Sequence, residues 1–211
     1  MRIDKYFDAK ALREFEKQLP NLRSCLGIRK IDADLESGYG VAGNTFRAFV
    51  GYRLRPSQVY RDWAKSQCEF IFNNADYLLN KIRSRESFLA WHKNLVNSLE
   101  EHWLDSMGKG IIFSHSRKLV DLFVKWLCHF NFGFSEITDL LVANSNCPLD
   151  SQSLAVLNRC LSGILPISKP SMGDVKNELS YEFCQDLIAQ FSESVGGSRL
   201  LFDFFAWKYG G

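Results

Sequence analysis

Length, composition and charge set the first limits on this protein. The chain has 211 residues, 46% hydrophobic and 24% charged, enough to bury one core or two small lobes that share one. No apolar run approaches the roughly 20 residues that span a bilayer, and the opening MRIDKYFDAK lacks the apolar core of a signal peptide. We therefore expect a soluble, cytoplasmic protein without a membrane partner. A net charge of +2 leaves a nucleic-acid partner open, because a basic face can lie opposite an acidic one.

The cysteines argue against a metal site or a disulfide framework. They are scattered and form no C-x-x-C pair, which disfavours zinc sites, iron–sulfur clusters and paired disulfides. We expect most of them to be buried free thiols. The six are Cys25, Cys68, Cys128, Cys147, Cys160 and Cys184.

Helical periodicity dominates the first half of the chain, and strand alternation is scarce. DAKALREFEKQL predicts an opening helix with Asp8 as N-cap and Pro20 just after its end. The glycines of GYGVAGN, residues 38–44, predict a loop, and TFRAFVGYRL then predicts a helix that Pro56 interrupts. SQVYRDWAKSQCEFIFNNADYLLNKIRS continues as one or two helices, and RESFLAWHKNLVNSLEEHWLDSM supplies another.

The second half also predicts helices joined by glycine- and proline-rich turns, so the fold class we expect is all-α. GKG, residues 108–110, is a turn before a helix that begins near Lys118. The loop SNCPLD precedes a helix from Ser151 to about Leu161. GILPISKPSMG predicts a linker, and the segments YEFCQDLIAQFSE and LLFDFFAWKYGG predict two closing helices.

Lys118 is the first candidate for chemistry. Near a helix start its positive charge is opposed by the helix dipole, and Arg117 beside it adds to that effect, which favours the neutral, nucleophilic amine. However, Lys118, Asp121 and Lys125 recur on one side of the helix, and that spacing alone favours a solvated polar face.

Asp150 is the second candidate. An aspartate after an extended Pro-Leu segment and before SQSLAVL predicts an N-cap. A carboxylate fixed there can also stabilise a developing positive charge. It lies 32 residues after Lys118, a separation that we interpret as one helix and one return loop.

The turn MGKGIIFSHSRK is the third candidate. Gly108 and Gly110 free backbone N–H groups for a phosphate, and nearby donors add to them, although a plain interhelical turn has the same pattern. These donors are Lys109, His115, Ser116 and Arg117.

Aromatic residues form the fourth candidate group. Asp203 and Trp207 are four residues apart on one helix face, and an indole beside a carboxylate suits a flat base that stacks and donates. Trp63 in VYRDWAK is a further candidate. Spacing alone favours a core tryptophan and a surface aspartate.

Taken in order, these motifs resemble those of the archaeal 8-oxoguanine DNA glycosylases, a branch of the helix-hairpin-helix DNA glycosylase superfamily. KLVDLFVK resembles the helix that carries the Schiff-base lysine and a second lysine, and PLD resembles the family's proline-hydrophobic-aspartate. LLFDFFAWKYG is similar to the C-terminal pattern, and VGYRLRPSQVYRDWAKSQCEFI is similar to the stretch with another base-contacting tryptophan. The positions that match in the C-terminal pattern are Leu200, Asp203, Trp207 and Gly210.

The resemblance implies a fold and a mechanism. The fold would be one helical domain over residues 1–211, with two lobes and a cleft that binds double-stranded DNA. Lys118 would attack the anomeric carbon of a flipped nucleotide and Asp150 would stabilise the cationic sugar. Elimination from the Schiff base would then nick the strand, without a metal or another cofactor. Asp203, Trp207 and Trp63 would hold the base, and Gly108, Lys109 and Gly110, with Ser116 and Arg117, would hold the DNA backbone. We expect a monomer.

The excised base stays open at this stage. Gly51 stands where the family commonly has a serine that helps read the base, so the substrate is either oxidised guanine or another modified base. Modified phage bases are included, which would make this a defence enzyme. The alternative from another class is a noncatalytic helical module that binds nucleic acid or protein.

Overall fold

The structure is a computed structural model that describes residues 3–31, 38–49, 51–52, 54–165 and 170–209. It confirms the all-α class, because 71% of the described residues are helical and 2% are in strands. The α-helices of the described segments are α1 (Ala9–Arg23), α2 (Pro56–Asn73), α3 (Ala75–Ile82), α4 (Arg85–Met107), α5 (Phe113–Leu127), α6 (Ser135–Asn144), α7 (Ser151–Cys160), α8 (Glu178–Glu193) and α9 (Arg199–Tyr209). Short 3₁₀ helices cover Asp4–Tyr6, Gly43–Ala48 and Met172–Asp174. None of these helices has the length and hydropathy that a bilayer span requires.

The chain divides into two compact units. The terminal unit comprises Met1–Leu26 and Ser145–Gly211, and therefore contains α1 and α7 to α9. The central unit comprises Gly27–Asn144, with α2 to α6 and two short strands. These strands, β1 (Arg29–Lys30) and β2 (Phe130–Asn131), pair in parallel. Neither strand was predicted from the sequence.

In the terminal unit, α9 packs against α1, α7 and α8 around an aromatic core. Phe15 is fully buried, and its ring centroid lies 5.9 Å from that of Phe191 and 5.1 Å from that of Phe205. Asp8 caps α1 as predicted, because its side chain accepts from the backbone N–H of Ala11 at 2.7 Å.

The predicted end of α1 was wrong, because the helix continues through Pro20 to Arg23. Proline has no N–H to give the carbonyl four residues earlier, so its presence inside a helix is unfavourable by itself. The added turn buries Leu22, and the free energy of that apolar burial offsets part of the lost hydrogen bond.

In the central unit, α4 packs against α2, α3 and α5, and α3 packs against α6. The bounds of α4 are those the sequence predicted, and Ser84 caps it with a reciprocal bond to Ser87. Pro56 occupies the first turn of α2, where its missing N–H is tolerated.

Two helix predictions in the central unit were wrong. The segment TFRAFVGYRL is not one α-helix, because the described structure has a 3₁₀ helix that ends at Ala48. Helix α6 was also not predicted from the sequence. Lys118 and Asp150 are therefore separated by more than the expected helix and loop, namely by the rest of α5, β2, α6 and a loop.

Candidate functional site

Helices α4 and α5 form a helical hairpin, residues 85–127, that carries one group of candidate residues. Gly108 ends α4 with φ of +67°, a left-handed conformation that favours glycine, and its N–H donates to the carbonyl of Leu104 at 2.8 Å. The turn Gly108 to Gly110 is exposed, as predicted. The Lys109 ammonium lies 5.4 Å from the centre of the Tyr52 ring, and the Tyr52 hydroxyl donates to the carbonyl of Gly110 at 3.4 Å.

Lys118 does not lie at the start of its helix. α5 begins at Phe113, so Lys118 is more than one turn inside it, and the dipole effect expected from its position has largely faded there. The side chain is half-buried. Any activation of this amine therefore depends on the side chains around it.

The stripe of Lys118, Asp121 and Lys125 is not the solvated face that the spacing favoured. Asp121 is buried, and its Oδ1 lies 2.8 Å from Nε2 of His92, which is also buried. Lys118 and Lys125 are half-buried. The hairpin therefore holds a polar pair inside the central unit, between α4 and α5.

His115 was named as a donor near the GKG turn, but the structure buries it. Its side chain is 8% exposed, and its ring stacks on Phe49 with centroids 4.1 Å apart. Burial lowers the pKa of His115 from its ordinary value of 6.5, and the positive charge of Lys118 lowers it further. The signal in the sequence was the three-residue spacing from Lys118, which places both on one helix face.

Ser116 and Arg117, the other two residues of α5 that were predicted to contact the DNA backbone, are not exposed. Ser116 is fully buried, and its hydroxyl donates to Oε1 of Glu100 at 2.7 Å. This bond keeps Ser116 inside the unit. The prediction that Ser116 contacts a DNA phosphate was therefore wrong. Arg117 is half-buried, with its guanidinium 4.9 Å from the centre of the Phe113 ring.

Trp63 belongs to the core of the central unit. It is 2% exposed, its Nε1 donates to Oγ of Ser98 at 3.2 Å, and its ring lies 5.2 Å from that of Phe123. A base cannot stack on a ring whose faces are covered in this way. We therefore leave Trp63 out of the base-binding group.

The terminal unit carries the other group, which begins with Asp150. Asp150 caps α7 as predicted, because Oδ1 accepts from the N–H groups of Gln152 and Ser153, both at 2.9 Å. The Ser153 hydroxyl accepts from the Asp150 N–H at 2.8 Å, which completes a capping box. The residue is buried, and these bonds fix the orientation of its carboxylate.

Gln185 of α8 fixes the loop before Asp150. Its Oε1 accepts from the N–H of Cys147 at 2.9 Å, and its Nε2 donates to the carbonyl of Cys147 at 2.7 Å. Gln185 is buried, so both polar ends of its amide are satisfied by one backbone residue. No sequence signal identified this residue, because the bond joins positions that are distant in the chain.

Asp203 and Trp207 of α9 have the opposite exposures from those the spacing favoured. Asp203 is 1% exposed, whereas Trp207 is 57% exposed. The Gln152 side chain donates to the carbonyl of Ala206 at 3.2 Å, so the start of α7, which Asp150 caps, lies against this part of α9. Gly210, which the C-terminal pattern includes, lies outside the described residues.

The candidate residues thus fall into two groups, one in each unit. The structure brings Asp150 together with the α9 segment of Asp203 and Trp207, and it places Lys118 on the hairpin behind the GKG turn. Within the described chain no group of three or more His, Cys, Asp or Glu residues is arranged to hold a metal ion.

Comparisons with known proteins add no relatives. No family model matches the chain, and neither the curated proteins nor the solved structures contain a match.

Proposed function

We propose that this protein is a DNA glycosylase that removes a damaged or modified base from double-stranded DNA, with abasic-site lyase activity. The observation that carries the proposal is the exposed indole of Trp207 on the helix segment that contacts the start of α7, beside the fixed carboxylate of Asp150. An indole left open to solvent is available to stack on a base that has left the duplex.

Lys118 is the nucleophile in this proposal. Its neutral amine forms a bond to C1′ of the deoxyribose as the bond from C1′ to the base breaks, and the base leaves with that electron pair and takes up a proton. The attached nitrogen then gives up one proton, which O4′ takes as the C1′–O4′ bond opens, and the iminium that remains is the Schiff base. Asp150 stabilises the positive charge that develops on the sugar.

The hairpin turn supplies the DNA contacts in this proposal. Gly108 to Gly110 are exposed and Lys109 adds a positive charge, so the turn can contact phosphate groups without sequence preference. Such contacts make the affinity for DNA depend on salt.

Borohydride trapping tests the proposal. We expect the wild type to form a covalent adduct with a duplex that carries an abasic site, and with a duplex that carries its substrate base. Duplexes with 8-oxoguanine and with glucosylated hydroxymethylcytosine separate the repair and phage-defence substrates. Lys118→Gln should form no adduct, because an amide cannot form an iminium.

Lys93→Gln is the matched control. Lys93 is an exposed lysine of the same hairpin, on α4, and its removal should leave trapping unchanged. An adduct that persists in Lys118→Gln would contradict the assigned nucleophile. DNA binding with neither base release nor an adduct on any duplex would contradict the glycosylase and favour a noncatalytic binding module.

A further inference from the structure

The glycine-rich loop of residues 38–44 has no role in the proposed function, yet it forms one wall of a cavity. The cavity lies within the central unit, between this loop, the 3₁₀ helix Gly43–Ala48 and the start of α2, and its volume is about 200 Å³. No residue assigned to the glycosylase reaction is among the described residues that line it. The lining residues include Val41, Gly43, Phe46, Ser57 and Arg61.

The loop is held in place on two sides. The buried Tyr60 donates from its hydroxyl to the carbonyl of Tyr39 at 2.8 Å, and the centroid of the Tyr39 ring lies 5.4 Å from that of Trp126. Gly40 has φ of +81°, and a Cβ there would lie 2.5 Å from Cβ of Trp126, so the loop needs glycine at this position. The wall of the cavity is therefore formed before a ligand arrives, which lowers the ordering cost of binding.

Arg61 supplies hydrogen-bond donors to the cavity. Its Nε donates to the carbonyl of Ser57 at 3.1 Å, one helical turn earlier on α2, and this bond restricts the orientation of the guanidinium. Among the described residues, none accepts from the two Nη groups of Arg61 and none bonds to the Ser57 hydroxyl. A guanidinium and a hydroxyl are donors that suit the oxygen atoms of a phosphate.

The charges in this part of the sequence have a single sign. The chain as a whole is almost balanced, with 26 lysines and arginines against 24 aspartates and glutamates. From residue 38 to residue 61, however, it contains arginines and neither aspartate nor glutamate. A segment of one charge sign around a cavity favours a ligand of the opposite charge. The arginines are Arg47, Arg53, Arg55 and Arg61.

Phe46 and Val41 give the cavity an apolar part. The Phe46 ring is half-buried, and its centroid lies 5.2 Å from that of Phe49 and 5.9 Å from that of Tyr60. A cavity of about 150 Å³ is enough to hold benzene, so this one has room for a planar ring. It is smaller than the roughly 300 Å³ at which pockets for drug-sized ligands begin. Gly43 is exposed, so the cavity opens to solvent and the rest of a larger ligand can lie outside it.

We propose that this cavity binds a nucleoside phosphate, with the base against Phe46 and the phosphate on Arg61 and Ser57. The chemistry is the same for a free nucleotide and for a nucleotide within a DNA strand. This inference goes beyond the proposed function and does not rest on it. Borohydride trapping at Lys118 and ligand binding at the cavity are separate measurements, so the failure of one is distinguishable from the failure of the other.

Isothermal titration calorimetry of the full chain tests the inference with the common 2′-deoxynucleoside 5′-monophosphates, the matching nucleosides and inorganic phosphate. We expect a nucleotide to bind on the order of 10-fold more tightly than its nucleoside or phosphate alone, because only the nucleotide engages both the ring and the guanidinium. A single-stranded oligonucleotide separates the two sources. An oligonucleotide that competes with the nucleotide shows that the site takes a strand, and a nucleotide that it does not displace is bound in free form.

Arg61→Gln should weaken nucleotide binding roughly 10-fold to 100-fold, because it removes the charged donors, and it should leave nucleoside binding unchanged. Arg83→Gln is the matched control. Arg83 is an exposed arginine of the same unit, its Nε donates to Oδ1 of Asn80 at 3.3 Å, and it is not among the described residues that line the cavity. The nucleotide affinity of this variant should equal that of the wild type.

A wild type that binds none of these nucleotides, or that binds a nucleotide and its nucleoside equally well, would overturn the inference. Both results come from the wild type, so they hold even where Arg61→Gln does not fold. Equal nucleotide affinity in the wild type and in Arg61→Gln would overturn it as well. An equal loss in Arg61→Gln and Arg83→Gln would do the same, because the effect would then follow the overall charge and not the cavity.

Discussion

The N-termini of α5 and α7 were both candidates for a role in the site, and they differ in whether a side chain caps the helix. Asp150 caps α7 with its own side chain, which satisfies two N–H groups and fixes the carboxylate. Ile112 stands at the N-cap of α5 and has no side-chain oxygen to offer. A side-chain cap fixes the orientation of the capping residue. A helix N-terminus without such a cap, near an exposed lysine, leaves backbone N–H groups that suit an anion.

The interiors of the two units share one feature and differ in another. Both bury aromatic rings against one another, but only in the central unit does the hairpin of α4 and α5 hold the His92–Asp121 and Ser116–Glu100 pairs. A buried polar pair is sensitive to the loss of one partner, because the remaining group is left without a hydrogen bond. The predictions below use these contrasts, from the largest expected effect to the smallest.

Substitutions at Asp150 separate its capping role from its chemical role. Asparagine caps a helix about as well as aspartate, so Asp150→Asn should keep the free energy of unfolding within about 1 kcal/mol. Trapping on an abasic duplex should fall on the order of 10²-fold, because the charge that stabilises the cationic sugar is lost. Asp150→Ala should lose the cap as well, by roughly 1 kcal/mol of stability. Full activity in Asp150→Asn would mean that the carboxylate is a cap and nothing more.

Removing Asp121 should destabilise the central unit. Asp121→Ala leaves Nε2 of His92 buried without this acceptor, which we expect to lower the free energy of unfolding by roughly 1–3 kcal/mol. A double variant with leucine at both positions should recover part of that loss, since neither member of the pair is then buried without the other. Urea denaturation of Asp121→Leu, His92→Leu and the double variant with both leucines measures the coupling. Strictly additive losses would show that the pair does not act as a unit.

Gly197→Ala should destabilise the aromatic core of the terminal unit. A Cβ at this position would lie 2.6 Å from Cε1 of Phe15, closer than atoms pack, and Phe15 is held by other rings. We expect a loss of roughly 1–3 kcal/mol in the free energy of unfolding. Gly173→Ala is the control, because the nearest side-chain atom there is 3.4 Å away, at ordinary contact distance. Equal stability of the two variants would contradict the packing argument.

Lys109→Ala should weaken binding to the same extent for DNA of any sequence. If Lys109 neutralises one phosphate, the slope of log affinity against log salt should fall by about 1. Lys65→Ala removes an exposed lysine of α2 that pairs with Glu69 at 3.9 Å, and it should leave that slope unchanged. A titration of a fluorescent duplex at several salt concentrations checks both. The same slope in both variants would remove the GKG turn from the DNA contacts.

Local patterns were enough to predict a large part of the fold. The bounds of α4 and the caps at Asp8 and Asp150 follow from periodicity and from side chains that bond within three residues. The start of α5 was missed because SHSRK looks like a polar turn. Ser116 in this stretch is polar but buried, and its hydroxyl bonds to Glu100 on another helix. Helix α6 is short, and no comparable local pattern in the sequence predicted it.

The candidate site was less predictable because the burial of each side chain depends on tertiary contacts. Helical spacing predicts that Asp203 and Trp207 share one face of α9, but it could not show that the carboxylate is buried and the indole exposed. The same limit applies to Trp63, whose partner Ser98 is distant in sequence. Periodicity identifies a shared face, and the neighbours of that face decide which residue reaches solvent.

The pH dependence of stability gives the smallest effect and tests the environment of His115 without any substrate. Its pKa is lower in the folded protein than the ordinary 6.5, so between those two values the unfolded chain binds more protons than the folded one. The free energy of unfolding should therefore fall as the pH drops below about 6.5, with a slope from this residue of at most about 1.4 kcal/mol per pH unit. Above that range the imidazole is neutral in both states and adds no slope. His115→Gln should remove this part of the dependence, whereas His129→Gln should retain it. A slope that is identical in wild type and His115→Gln would mean that His115 titrates in the folded protein as it does in the unfolded chain.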